Sequence, residues 1–144
     1  MAAVPVNYWA ILVCGIVSMV LGSVWYGPMF GKMFMQMVGM DKWSPGKKEE
    51  MKKEMMKSYT LTFIGSLVMA WVLTQAIIFA QSYMNTTWLN AGLMTGFISW
   101  LGFIATVSMG SVFWEGKSWK LWTLNNSYQL VQLLIFGAIL GTWK

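Results

Sequence analysis

Outside one lysine-rich stretch the chain carries a single carboxylate, Glu115, set between Trp114 and Gly116 with Lys117 and Lys120 close behind. A carboxylate beside lysines at an aromatic boundary could transfer protons or receive a polar headgroup. Further along stand Asn125, Asn126, Gln129 and Gln132, of which positions 125, 129 and 132 share one helical face. Their amides could bind a guest or one another. Catalytic alternatives are few. The chain has no histidine and one cysteine, Cys14. That excludes a His-based general base, the usual zinc clusters, a serine triad of the ordinary kind and a disulfide within the chain. Glu115 also lacks a second carboxylate nearby. Fourteen methionines, with Met33, Met35, Met37 and Met40 closely spaced, raise Cu(I), which thioethers suit. Methionine also fills apolar packing surfaces, and with no histidine and a lone cysteine we read it so. No metal and no cofactor are expected.

Composition dictates what must position these residues. Hydrophobic residues make up 57% of the 144 and charged residues 10%, against about a quarter charged in soluble domains. Seven of the ten lysines and four of the five acids lie between Lys32 and Lys57. The rest is long uncharged apolar sequence, which reads as membrane-spanning helix. Four spans can be drawn, at about 8–26, 59–81, 88–114 and 122–143, with Tyr or Trp near most ends. The expected fold is all-α: an integral membrane four-helix bundle forming one domain over 1–144, with a cytoplasmic insertion at about 27–58. The opening residues, without a basic group before a long apolar run, do not read as a cleaved leader.

Lysines set the expected orientation. Both lysine-bearing connections belong in the cytoplasm and both termini outside, making this a multi-pass protein of the cell (inner) membrane. The net charge of +5 reads as that bias plus attraction to anionic lipid, about 1 kcal/mol per lysine near the surface. Membrane lipids are therefore the expected partners. Nucleic acid is not, since the basic stretch is mixed with acids and has no arginine.

In the insertion, Pro28 is expected to open a short amphipathic helix lying in the membrane interface, with Met29, Met33, Met37 and Met40 on one face and a break at Gly39 and Asp41. Ser44 should cap a second helix with Pro45 in its first turn, leading into span two. Small residues at Gly15, Ser18 and Gly22, at Gly92, Gly96, Gly102, Thr106 and Gly110, and at Gly137 and Gly141 offer close helix contacts. Three such stripes exceed what one bundle needs, which suggests a homo-oligomer.

Two segments nearly match: "GSVWYGPMFGK" at 22–32 and "GSVFWEGKSWK" at 110–120. Each falls where an odd-numbered span leaves the membrane, and "SYTL" at 58–61 echoes "SYQL" at 127–130. The reading is a tandem two-helix repeat in one orientation. The exits would then meet, and Trp25, Tyr26, Pro28, Lys32, Trp114, Glu115, Lys120, Asn125 and Gln129 form the candidate binding site, with Glu115 paired to Lys32 or Lys120.

The run Trp25-Tyr26-Gly27-Pro28-Met29-Phe30-Gly31-Lys32, the later Phe113–Lys117 and Lys120–Trp122 segments, the Asn125–Tyr128 region and the closing "GAILGTW" resemble the family grouped as domain of unknown function 1761. The resemblance spans essentially the whole chain and implies a small four-span prokaryotic inner-membrane protein without an established activity. The functional expectation is a non-enzymatic membrane protein, structural or accessory. The alternative is a small transporter or channel with a polar vestibule at the cytoplasmic end of spans three and four. Transport usually wants ionisable residues at depth, and the spans have none near their middles.

Overall fold

A computed structural model describes residues 6–143 and shows an all-helical chain; residues 1–5, on which the leader expectation rests, and Lys144 lie outside the described residues. We number five helices. Helix α1 covers Tyr8–Met29, α2 Gly31–Val38, α3 Pro45–Met84, α4 Trp88–Phe113 and α5 Trp119–Thr142. Three of them, α1, α3 and α4, are long and apolar enough to cross a membrane. The expected fourth span also forms a long helix, α5, but its amides keep it from being a fourth of that kind.

Side chains set most boundaries by satisfying orphan backbone N–H groups. Asn7, Ser44, Thr87 and Ser118 cap α1, α3, α4 and α5 in turn, each accepting from an amide two or three residues on. Gly39, at φ 77°, ends α2, and Asn85, at φ 49°, ends α3. Both occupy the left-handed region where Gly and Asn are tolerated best.

One expectation about the insertion changes. Pro28 does not begin α2. It lies inside a π-helical turn, Trp25–Met29, that finishes α1, where the Phe30 N–H donates to the Trp25 carbonyl at 3.0 Å. Proline lacks an N–H and crowds the preceding turn, and the wider π-turn accommodates it. Gly31 then starts α2 with its Cα against the Tyr26 carbonyl, where a Cβ would sit 2.8 Å from that oxygen. The helix begun at Pro45 leads into span two as expected, without a break. Insertion and span two form one 40-residue helix, about 60 Å long.

Contacts fix direction. Asn7, at the start of α1, lies 3.5 Å from the Trp143 carbonyl at the end of α5, while Tyr26 at the far end of α1 bonds Asn125 near the start of α5. Trp88 and Gly92 of α4 meet Gly141 and Gly137, while Trp100 reaches Asn126. So α5 runs antiparallel to both α1 and α4, and those two run the same way. The three-residue link 85–87 brings the end of α3 to the start of α4, which makes α3 antiparallel to them.

Glycine makes the α4–α5 seam. A Cβ on Gly92 would collide with the Gly137 carbonyl, one on Gly137 with the Gly92 carbonyl, and one on Gly96 with the Leu133 carbonyl. The α1 stripe is also occupied within the chain: Gly15 abuts Phe63 and Leu67 of α3, and Gly22 abuts the Tyr128 hydroxyl. An apolar core of Ala10, Ile11, Cys14, Ala70, Leu73, Ile77, Ala91, Leu133, Phe136 and Leu140 fills the half of the bundle nearest the termini. In the other half the buried polar Ser18, Ser66, Asn126 and Gln132 stand beside the buried Ala105, Leu121 and Leu124.

Candidate functional site

The polar half is built in two layers on α5. In the inner layer, Ser18, Ser66 and Gln132 are each at most 4% exposed. Gln132 Nε2 donates to Ser18 Oγ at 2.9 Å, Ser18 and Ser66 share a 2.8 Å bond, and Ser66 Oγ donates to the Thr62 carbonyl at 2.9 Å. Since the Ser66 proton goes to Thr62, Ser18 donates to Ser66. The Tyr128 hydroxyl donates to the Ser18 carbonyl at 3.2 Å. Three helices are thus tied by one directed chain of bonds, as buried polar groups require where no water reaches them.

The outer layer faces the lysine-rich end. The Tyr26 hydroxyl donates to Asn125 Oδ1 at 2.7 Å, and its ring lies 5.3 Å from that of Tyr128 and 4.9 Å from that of Phe34. On the opposite side of α5, Asn126 holds α4. Ser108 Oγ donates to Asn126 Oδ1 at 2.9 Å, Trp100 Nε1 donates to the Asn126 carbonyl at 2.9 Å, and Trp122 Nε1 donates to Ser108 Oγ at 3.0 Å. Residues Trp100–Ala105 of α4 are π-helical; Trp100 opens this wide stretch and Ser108 follows it. Among the described residues, Trp25 Nε1, a donor, and Gln129 Oε1, an acceptor, are buried here without hydrogen-bond partners.

Beside this layer opens a cleft of about 440 Å³, walled by Trp25, Phe30, Met33, Met37 and Trp119, with Lys120, Thr123 and Ser127 supplying its polar groups. The predicted site residues therefore divide. Trp25, Tyr26, Asn125 and Gln129 gather where α1 meets α5, and Lys120 stands at the cleft. Pro28 is exposed on the π-turn, and Lys32 belongs to a different cleft, between α2 and α3. Trp114 is 90% exposed. Glu115 does not face the junction or meet Lys32 or Lys120; it is exposed and pairs with Lys117 at 3.3 Å. The reason is local. Helix α4 ends at Phe113, and Gly116, at φ 70°, turns the chain away. The four closely spaced methionines also separate, Met33 and Met37 to one cleft and Met35 and Met40 to the other.

Sequence reasoning placed the 125/129/132 stripe on one face, and two of its members bond α1. It missed Trp100, Ser108, Trp122, Tyr128 and Ser66. The "SYQL" echo drew attention to Tyr128, yet its counterpart Tyr59 is 48% exposed. The two rhyming segments likewise differ locally: a π-turn around Pro28 in one, a helix end and loop around Glu115 in the other.

The class defined by these features is an all-helical protein with three membrane-length helices around a polar fourth. More particularly, the chain belongs to the family described as "Protein of unknown function (DUF1761)", which matches residues 9–141. No curated protein and no solved structure matches it.

Proposed function

We propose that the chain is a four-span membrane protein of non-enzymatic role, in which α5 makes the fourth crossing at the centre of the bundle. The observation that carries this is register. Helix α5 accompanies α1 from the Tyr26–Asn125 bond at one end to the Asn7–Trp143 approach at the other. A helix that follows α1 end to end crosses what α1 crosses. Its Asn125, Asn126 and Gln132 amides have partners on neighbouring helices, the condition for lying among acyl chains. With four crossings, the lysine-bearing connections share one side, the cytoplasm by their charge, and both termini lie outside. The common direction of α1 and α4 supports the tandem pair.

A structural or accessory role is favoured by the bonded layer of Ser18, Ser66, Tyr128 and Gln132, which closes the bundle at that depth. The transport reading draws support from the unpartnered Trp25 Nε1 and Gln129 Oε1. A second copy would meet the part of the α4 stripe that stays open, since among the described residues a Cβ at Gly102 would meet nothing from another element within 4 Å and Thr106 is exposed.

The test is cysteine labelling in membranes with an impermeant reagent, in a Cys14→Ala background. Lys48→Cys and Lys117→Cys should label from one side, and Asn85→Cys and Trp143→Cys from the other. Labelling of positions 117 and 143 from the same side would end the four-span reading. Gln129→Cys labelled from the lysine side would favour a vestibule, and protection would favour the packed role.

A further inference from the structure

The lysines of the insertion are not only a topological signal; their placement builds a second cleft, of about 600 Å³, between α2 and the projecting part of α3. Two helix faces look at each other across it. Helix α2 contributes Lys32, Met35 and Gln36, spaced three and four apart, and α3 contributes Lys48, Met51, Lys52 and Met55, spaced the same way. Met40, Asp41 and Trp43 of the connecting turn complete the lining. The walls are thioether and indole, soft surfaces that adapt to a chain of irregular shape. The charges are three ammonium groups against one carboxylate. Among the described residues the ammonium groups of Lys32, Lys48 and Lys52 have neither an ion pair nor a hydrogen bond, the one ion pair being Lys117–Glu115. Lys47 stands apart over the Trp43 ring at 4.3 Å, and Glu49, Glu50 and Glu54 do not line the cleft.

Location narrows the occupant. Met55 lies four residues and Lys48 eleven residues before Tyr59, where the uncharged part of α3 begins. At 1.5 Å per residue these are about 6 and 16 Å, so the cleft begins at headgroup level and opens away from the apolar region. An apolar wall carrying uncompensated cations at that height suits a molecule with an acyl part and an anionic head. The volume falls within the range of about 300–1,000 Å³ found for ligand sites.

We propose that this cleft binds one anionic phospholipid of the surrounding membrane, its phosphate held by Lys32, Lys48 and Lys52 and its apolar part laid along Met35, Met51, Met55 and Trp43. This rests on the membrane reading above, which the labelling experiment decides independently. The test uses the full chain in a non-ionic detergent, with retained lipid counted by native mass spectrometry and melting followed with and without lipid. Phosphatidylglycerol should be retained at one molecule per chain and raise the melting temperature; phosphatidylcholine should do neither. The K32Q/K48Q/K52Q variant should melt like the parent without lipid and bind phosphatidylglycerol at least tenfold more weakly. A K42Q/K53Q/K57Q control removes the same charge from outside the cleft and should bind like the parent. M35Q/M51Q should weaken lipid binding while leaving all ten lysines in place. Equal loss in the two lysine variants would mean diffuse surface attraction and overturn the site. Equal binding of phosphatidylcholine, or equal protection by inorganic phosphate alone, would overturn it as well.

Discussion

Helices α4 and α5 lie against each other and have opposite surroundings. The apolar window of α4 is only 11% buried, although the helix passes as a membrane span by length and hydropathy. Helix α5 carries two asparagines and two glutamines in its first fourteen residues and buries ten residues, the most of any helix here. Hydropathy reports what a helix offers to lipid. A helix surrounded by other helices is released from that demand, provided its polar groups find partners. The amides that lower the hydropathy of α5 are those that hold it to α1 and α4 (Asn125, Asn126 and Gln132), so the one long helix without a span-grade apolar window is the most enclosed.

Four sets of substitutions probe this contrast, from the largest effect to the smallest. Gly92→Leu should be the most damaging, because its side chain must enter the backbone of α5 at Gly137. Overpacking a core costs about 1–3 kcal/mol, and a backbone collision belongs at or beyond the upper end. Failure to purify as a folded species, or a large drop in melting temperature in detergent, is the expected result; parental melting would mean that the seam is not as close as described. Next, Gln132→Leu should cost about 1 kcal/mol, near the value for interhelical hydrogen bonds in membranes. Adding Ser18→Ala to it should be clearly less than additive, because the two share a bond. Strict additivity would separate the residues energetically.

Third, Gly102→Leu should lie within about 0.5 kcal/mol of the parent, for the open half of α4 has room for the side chain. A loss of apparent mass in detergent with unchanged melting would instead locate a second copy on that face. Fourth, K32A/K120A and the same variant with Glu115→Gln should melt alike, within about 0.5 kcal/mol. Glu115 is exposed beside Lys117, and pairs of that kind contribute little. If the triple variant melted well above the double one, Glu115 would be a stranded charge after all, and the contrast between enclosed amides and a solvated carboxylate would fail.

Much of this was legible because it is local or periodic. The Ser44 cap with Pro45 behind it, the Gly39 stop and the paired small residues of α4 and α5 are signals contained within a few residues. The 125/129/132 face follows from helical spacing alone. Pro28 was misread because proline in a first turn and proline inside a π-turn look alike in sequence. What separates them is the approach of Gly31 to the Tyr26 carbonyl, which only the folded chain reveals. Glu115 was misread for a related reason. Aromatic neighbours suggest enclosure, but the left-handed turn at Gly116 directs the segment outward. Trp100, Ser108 and Trp122 were missed because they converge on Asn126 from two helices through a π-helical stretch that no short motif announces.

The 40-residue length of α3 has a mechanical consequence. Ser66, bonded to Ser18, and the buried Ala70, Leu73 and Ile77 grip one half of the helix; from Ser66 out to Pro45 runs about 30 Å of unbroken helix. That arm is a lever with its fulcrum inside the bundle. A tilt of about ten degrees at the fulcrum carries the tip sideways by about 5 Å over that length. A small adjustment of packing around Ser18 is therefore delivered, enlarged, at the lysines and methionines of the projecting end.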